Sequence, residues 1–381
     1  MPAMLPVPTD AVPRLTEVMG SSLASLTGAE NAFGLPAASG VVVVVVDGLG
    51  ASNLQARAGH ARFLSSRMAK RDVIRSVLPS TTAAALASLT TGALPGEHGL
   101  VGYRALDAAN DRLVNQLSGW DAAMVPETWQ RCATVFERAA DRGIPSFAIG
   151  AARYADSGFT RAVLRGASYR AAASLTERFD EALALLQGGG ERLVYLYVPE
   201  LDQAAHAHGW ESNRWLGLLE QLDGEIASFE QRMPRTAGLL VTADHGVVDV
   251  PAHRHVLVDA SPELVEGVRH IGGEPRFLSL SLEPGLDEGE RAALLERWRV
   301  SEGHRAWVRS RDEAIEAGLY GPVADEVRPR IGDILVAARS GIAYYDAREA
   351  NRQAESMIGQ HGSLTDEETR IPLIRGGVFR R

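Results

Sequence analysis

Six consecutive valines, Val41 to Val46, closed by Asp47-Gly48, constrain this chain more than any other stretch. β-Branched side chains favour extended backbone, and a run with no polar position leaves no face for water. The run is therefore predicted as a strand covered on both sides, as in a parallel sheet layered by helices. Similar short apolar runs recur at VIRSVL (73–78), PSFAIG (145–150), LVYLYV (193–198) and AGLLVTA (237–243). Helix-like stretches lie between them, notably ETWQRCATVFERAADRG (127–143) and LTERFDEALALLQGGG (175–190), the second stopped by three glycines. Alternation of strand and helix predicts an α/β fold with a mostly parallel central sheet.

At 381 residues the chain exceeds the roughly 250–300 residues at which one core stops growing. The expected organisation is an N-terminal leader over 1–40 packing on the core, an α/β core over 41–250 and 346–381, and an inserted smaller layer or cap over 251–345. The change of texture after Val250 marks the insertion, which carries a strand-like FLSLSL (277–282), a charged helix LDEGERAALLERWRV and a strand-like DILVAA (333–338). Lys+Arg 39 against Asp+Glu 48 gives a net charge of −9, which disfavours a nucleic-acid-binding surface. Cys132, the single cysteine, cannot form an intrachain disulfide and reads as a buried helix residue, in keeping with a cytoplasmic setting. The N-terminal stretch lacks a basic-then-apolar signal pattern. Nor does any apolar run approach the roughly 20 residues that span a bilayer, so no membrane association is expected.

Ligands of open α/β sheets bind beyond the carboxyl ends of the strands, and three runs end there in metal-type residues. The valine run ends at Asp47. LVYLYVPELDQAAHAHG carries Asp202 and, four residues later, His206, a spacing that places both on one face of a helix. AGLLVTADHG ends in Asp244 and His245, and a late His361-Gly362 precedes the final apolar run, IPLI. Mixed carboxylate and imidazole donors suit a divalent metal, and imidazole favours zinc over magnesium. Pro79-Ser80-Thr81-Thr82 then leads into an Ala/Leu/Ser run of strong helix character. One of these hydroxyls is expected at a helix N-terminus, where free backbone N–H groups favour phosphate oxygens. An ordinary Ser/Thr helix cap is the plain alternative.

The ordered set D-G-L-G, P-S-T-T, T-G-x-x-P-x-x-H-G, D-x-x-x-H, T-A-D-H-G and a late H-G resembles the alkaline phosphatase superfamily. Its nucleotide pyrophosphatase/phosphodiesterase branch is the nearest, and the motifs span about 41 to 376. This resemblance implies an alkaline-phosphatase-like three-layer α/β/α sandwich and a metal-dependent phosphoric ester hydrolase. It also implies two divalent ions, zinc in the first instance and manganese as the alternative. Carried over by position, Asp202, His206 and His361 would hold one ion. Asp47, Asp244, His245 and the nucleophile oxygen would hold the other. Counting from Pro79 and back from Thr91 both give Thr82 as nucleophile, forming a phospho-threonine intermediate, with Thr81 and then Ser80 as fallbacks. Members of the branch follow the nucleophile with an aromatic residue and an asparagine; here Ala83-Ala84-Ala85 follows.

The expected partner is a small phosphate ester or nucleotide-like molecule. Phosphomonoesterase, phosphonate hydrolase and phosphomutase activities share the metal set, and a zinc-stabilised binding protein is the non-enzyme alternative. The sulfatase C-x-P-x-R pattern is missing around Cys132. His208, His253, His255, His270, Glu274, Arg276, Tyr103 and Arg104 are weaker site candidates. Of these, His270, Glu274 and Arg276 could reach the mouth of the site, where an arginine could hold a phosphate bidentately. Tyr103 and Arg104 are similar candidates from the other side, and His98 reads as structural.

Overall fold

The valine strand lies at the middle of the main sheet. In the computed structural model, which describes residues 5–6, 12–348 and 352–380, seven strands form this sheet. Their order is Val73–Arg75, Arg370–Gly377, Gly238–Thr242, Val41–Val46, Leu193–Val198, Ser146–Gly150 and Ser168–Ala171. The last five are mutually parallel, while Arg370–Gly377 runs antiparallel to both of its neighbours. All six valines are fully buried, as a strand covered on both faces requires. Helix Thr16–Leu26 packs on the valine strand and on helix Thr82–Thr91, and helices Leu175–Gln187 and Asn213–Arg232 pack on each other. The architecture is a three-layer α/β/α sandwich with a mostly parallel central sheet. Within the 1–40 leader, residues 1–4 and 7–11 lie outside the described residues, and Thr16–Leu26 buries Val18, Met19, Leu23 and Leu26.

Two expected elements are revised. Of 73–78, only Val73–Arg75 is strand, at the sheet edge. The 127–143 stretch forms two short helices, Pro126–Trp129 and Val135–Ala140. Between them the Gln130 side chain bonds the backbone of Cys132 at both N–H and C=O and accepts no helical geometry there. Thr134 then starts a new helix through a reciprocal cap with Glu137. Such side chain-to-backbone bonds compete directly with helix. Cys132 accordingly sits half-buried outside any helix, not within one.

A separate four-stranded antiparallel sheet, ordered Val268–Glu274, Phe277–Leu282, Ile334–Ala338 and Ala306–Ser310, carries helix Glu288–Glu302. Leu278, Leu280, Trp298, Val308 and Val336 form its own core. Arg276, in the turn between its first two strands, ties this sheet to the main body. Its guanidinium donates to both Glu368 carboxylate oxygens at 2.7 and 2.8 Å and to the Ser340 and Ile342 carbonyls. Arg276 is therefore a buried structural cation, not a phosphate anchor. Breaking one partner of a buried pair strands the other charge. Arg276→Met is expected to destabilise the fold by about 3–5 kcal/mol in urea titrations, with part of the loss recovered when Glu368→Gln is added.

Candidate functional site

The carboxyl ends of the three central strands converge. Asp47 follows Val46, Asp244 and His245 follow Gly238–Thr242, and Asp202 with His206 lies on helix Glu200–His208, which begins just after Leu193–Val198. The turn after Val46 needs Gly48. Its φ is +72°, and a Cβ there would lie 3.1 Å from Asp202 Cβ and 3.2 Å from Asp202 Cα. Glycine thus lets the first and second carboxylates approach. His361 arrives from the far end of the chain on the turn after Gly359–Gln360.

These residues form two overlapping groups whose candidate ligand atoms lie within 4.8 Å of one another: Asp47, Asp244 and His245, and Asp202, His245 and His361. The His245 and His361 rings stack at 3.6 Å between centroids. His206 stands beside the second group, its Nε2 3.0 Å from Asp202 Oδ2 and its Nδ1 2.7 Å from the Gly359 carbonyl. His361 places Nδ1 on the Ser80 carbonyl at 3.0 Å, which leaves Nε2 as its ligand atom. All six residues that the sequence singles out as ligands are therefore gathered in one place.

The donor set fits divalent cations. Asp47 Oδ1, Asp202 Oδ1 and Asp244 Oδ2 are buried and make no hydrogen bond, although His245 Nε2 stands 3.4 Å from the first and 3.3 Å from the last. Three carboxylate oxygens are thus aimed inward without a donor. Burial, and then the charges of Asp244 and Asp202, push the Asp47 carboxyl well above its ordinary range. Burial likewise raises Asp244. At Asp202 burial opposes ionisation, but the charge of His206 and its hydrogen bond to the carboxylate outweigh it and hold the carboxyl low. Burial and the neighbouring His245 keep His361 neutral, the form that ligates metal.

The three hydroxyls of Ser80-Thr81-Thr82 separate clearly. Ser80 Oγ donates to the Ser363 carbonyl at 2.6 Å. Thr81 occupies the cap position of helix Thr82–Thr91, yet its side chain makes no capping bond, so the ordinary-cap reading fails. Thr82 is the first helical residue, and its Oγ1 lies 3.0 Å from His245 Nε2, inside the ligand cluster. The first-turn N–H groups of this helix have no intrahelical partner and face the same end. Ala83, Ala84 and Ala85 are buried in the helix packing and offer no polar donor.

Two contributors were not legible as such. Tyr197 donates its hydroxyl to Asp47 Oδ2, and burial followed by the Asp47 charge keeps that phenol protonated. Its only sequence signal is its place in LVYLYV, five residues before Asp202. Glu274, a weak candidate, lies against the turn of Gly362, where a Cβ would come 2.3 Å from Glu274 Cδ. Its carboxylate is 3.7 Å from His361 Nδ1. Tyr103 and Arg104 line cavities at the site, whereas His270 pairs with Asp111 at 2.9 Å, and His208 and His253 are exposed. His255 rests against the Tyr345 ring. His98 is buried and structural, its Nε2 2.8 Å from Ser88 Oγ and its Nδ1 accepting from Leu100 N.

Comparison with known proteins bears on the family and the fold. A family model described as type I phosphodiesterase / nucleotide pyrophosphatase matches residues 41–364. Curated protein sequences give no match. Among solved structures, murine ectonucleotide pyrophosphatase / phosphodiesterase 5 superposes with a TM-score of 0.67 at 16% identity, covering 88% of each chain. Its human counterpart gives 0.65 at 15% identity, covering 88% of this chain and 87% of that one. Phosphonoacetate hydrolase from Sinorhizobium meliloti 1021, solved with phosphonoformate, gives 0.66 at 19% identity, covering 90% and 91%. At these identities the superpositions speak for the fold, and the family match speaks for membership. No helix among the described residues is long and apolar enough to cross a membrane. With its family model matched from the valine strand to the last histidine turn, the chain belongs to the type I phosphodiesterase / nucleotide pyrophosphatase family and is a phosphoester hydrolase of the alkaline phosphatase superfamily.

Proposed function

We propose that this chain is a metal-dependent phosphodiesterase that uses Thr82 as its nucleophile. The observation that carries this reading is the Thr82 hydroxyl, held at a helix start 3.0 Å from His245 within a cluster whose three aspartates each present an unpartnered buried oxygen. Asp202, His206 and His361 would hold one divalent ion, and Asp47, Asp244, His245 and Thr82 Oγ1 the other. Zinc suits the imidazole-rich set, with manganese the alternative. When bound, such ions supply Lewis acidity to the phosphoryl group.

The chain's own residues do the rest. Tyr197 orients Asp47 by donating to Oδ2, which leaves Oδ1 as the presented atom. Thr82 Oγ1 bonds to phosphorus as the bond to the leaving oxygen breaks and the hydroxyl proton passes to that oxygen, giving Thr82 bearing the still-esterified phosphoryl group and a released alcohol. Water then cleaves that ester, restoring the hydroxyl and releasing the remaining phosphomonoester. The first-turn N–H groups of helix Thr82–Thr91 hold equatorial phosphoryl oxygens, which offsets the amide that Ala85 cannot provide. Residues 251–345 are read as an insertion that bounds the substrate side through Glu274 and Pro275, and a cytoplasmic setting is kept.

The test is a panel of bis(para-nitrophenyl) phosphate, para-nitrophenyl phosphate and phosphonoacetate with zinc present. The diester is expected to turn over at least about tenfold faster than the monoester. Preference for phosphonoacetate would move the reading to carbon–phosphorus cleavage, and inertness towards all three would overturn it.

A further inference from the structure

Two cavities adjoin the ligand cluster; both have apolar walls, and they differ in the charged groups those walls carry away from the cluster. The first, about 660 Å³, extends from Asp47 and Thr82 to a wall of Trp120, Ile149, Tyr154, Phe159 and Val163. Arg153 is the one arginine or lysine among the described residues lining it, and its guanidinium lies over the Tyr154 ring and bonds the Tyr154 hydroxyl. The second, about 840 Å³, has Ile271, Leu278, Tyr344 and Met357 on its wall and adds the charged groups of Arg104, Asp346, Arg352 and Glu355. Tyr103, Gln203, His206 and Glu274 line both, so the chambers meet at the cluster.

A phosphomonoester has one organic arm and needs one chamber. A diester has two, diverging from a tetrahedral phosphorus. Apolar walls reward burial of hydrocarbon and offer little to a polar arm. A wall that also bears guanidinium and carboxylate groups rewards a hydrogen-bonding arm. We infer that the substrate is an amphipathic phosphodiester, with an apolar arm in the Trp120–Phe159 chamber and a polar arm in the Arg104–Glu355 chamber. This rests on the phosphodiesterase reading above and specifies its substrate class.

The experiment uses the zinc-loaded enzyme and alkyl glyceryl phosphodiesters whose alkyl arm runs from ethyl to octyl, with products followed by phosphorus NMR. kcat/KM is expected to rise by about two- to fourfold for each added methylene until the chamber is full. At fixed hexyl arm, replacing glyceryl by propyl is expected to lower kcat/KM by roughly threefold or more. Trp120→Ala is expected to flatten the chain-length dependence; since the wild-type series stands alone, a variant that fails to fold does not weaken the test. Hydrolysis of every member at one rate would overturn the two-chamber assignment while leaving the phosphodiesterase reading intact. Hydrolysis of monoesters with no diester cleaved would overturn both. Inertness towards every ester would overturn the underlying function first, and this inference with it.

Discussion

Thr82→Ala lowers kcat by roughly three to four orders of magnitude while leaving bound metal and thermal stability close to those of the parent. The structural basis is local. Thr82 contributes one hydroxyl, whose partner is His245 Nε2, and it stands at the first helical position, where alanine is at least as good a helix former. Removing it leaves the carboxylates and imidazoles untouched. Thr82→Ser, which keeps the oxygen, is expected to stay within about tenfold of the parent. The neighbouring hydroxyls serve as controls. Thr81→Ala should cost less than about tenfold, because its hydroxyl lies outside the ligand groups, and Ser80→Ala should act on stability through the lost bond to the Ser363 carbonyl. Steady-state kinetics with metal analysis on the four variants checks this, and a larger loss for Thr81→Ala than for Thr82→Ala would move the nucleophile by one residue.

Stripping metal with a chelator should abolish activity and lower the melting temperature, with zinc restoring both. The sign of the pH dependence follows from the carboxylates. Burial and neighbouring acids raise Asp47, and burial raises Asp244. In the metal-free fold these two groups hold protons that the unfolded chain has already released above its ordinary carboxylate pKa. Their contribution to stability therefore falls as pH rises above about 4. A bound cation favours the ionised form and reverses that loss, and its ligands must be deprotonated to bind it. Zinc is accordingly expected to raise the melting temperature more at about pH 7.5 than at about pH 5.5. At a thousandfold excess over Kd the stabilisation is about 4 kcal/mol. Asp244→Asn should remove most of it and cost at least about a thousandfold in turnover. Scanning calorimetry with and without chelator at the two pH values decides the point, and identical curves would contradict a metal-bearing cluster.

Much of this site could be read from the chain because its parts announce themselves locally. A run of valines ended by Asp47-Gly48 has few ways to fold, and Asp202 and His206 are fixed by helical spacing alone. What escaped reading depends on contacts between distant segments. Arg276 looks like a phosphate anchor until Glu368, 92 residues away, is seen to occupy it. Tyr195 and Tyr197 are indistinguishable in a strand buried on both faces, yet only Tyr197 donates to Asp47. The break at 130–134 arises from the Gln130 amide bonding to the backbone, a choice that helix propensity does not register. Trp120 and Phe159 carry no motif at all, and only the fold places them on one wall.

On the proposed mechanism, Thr82 carries the phosphoryl group during turnover. Zinc-loaded enzyme mixed with a diester, quenched in acid within one turnover and digested, should yield a peptide containing Thr82 heavier by one esterified phosphoryl group. Thr82→Ala should yield none. A modified peptide elsewhere in the chain, or a fully active enzyme that never shows the adduct under single-turnover conditions, would contradict the account.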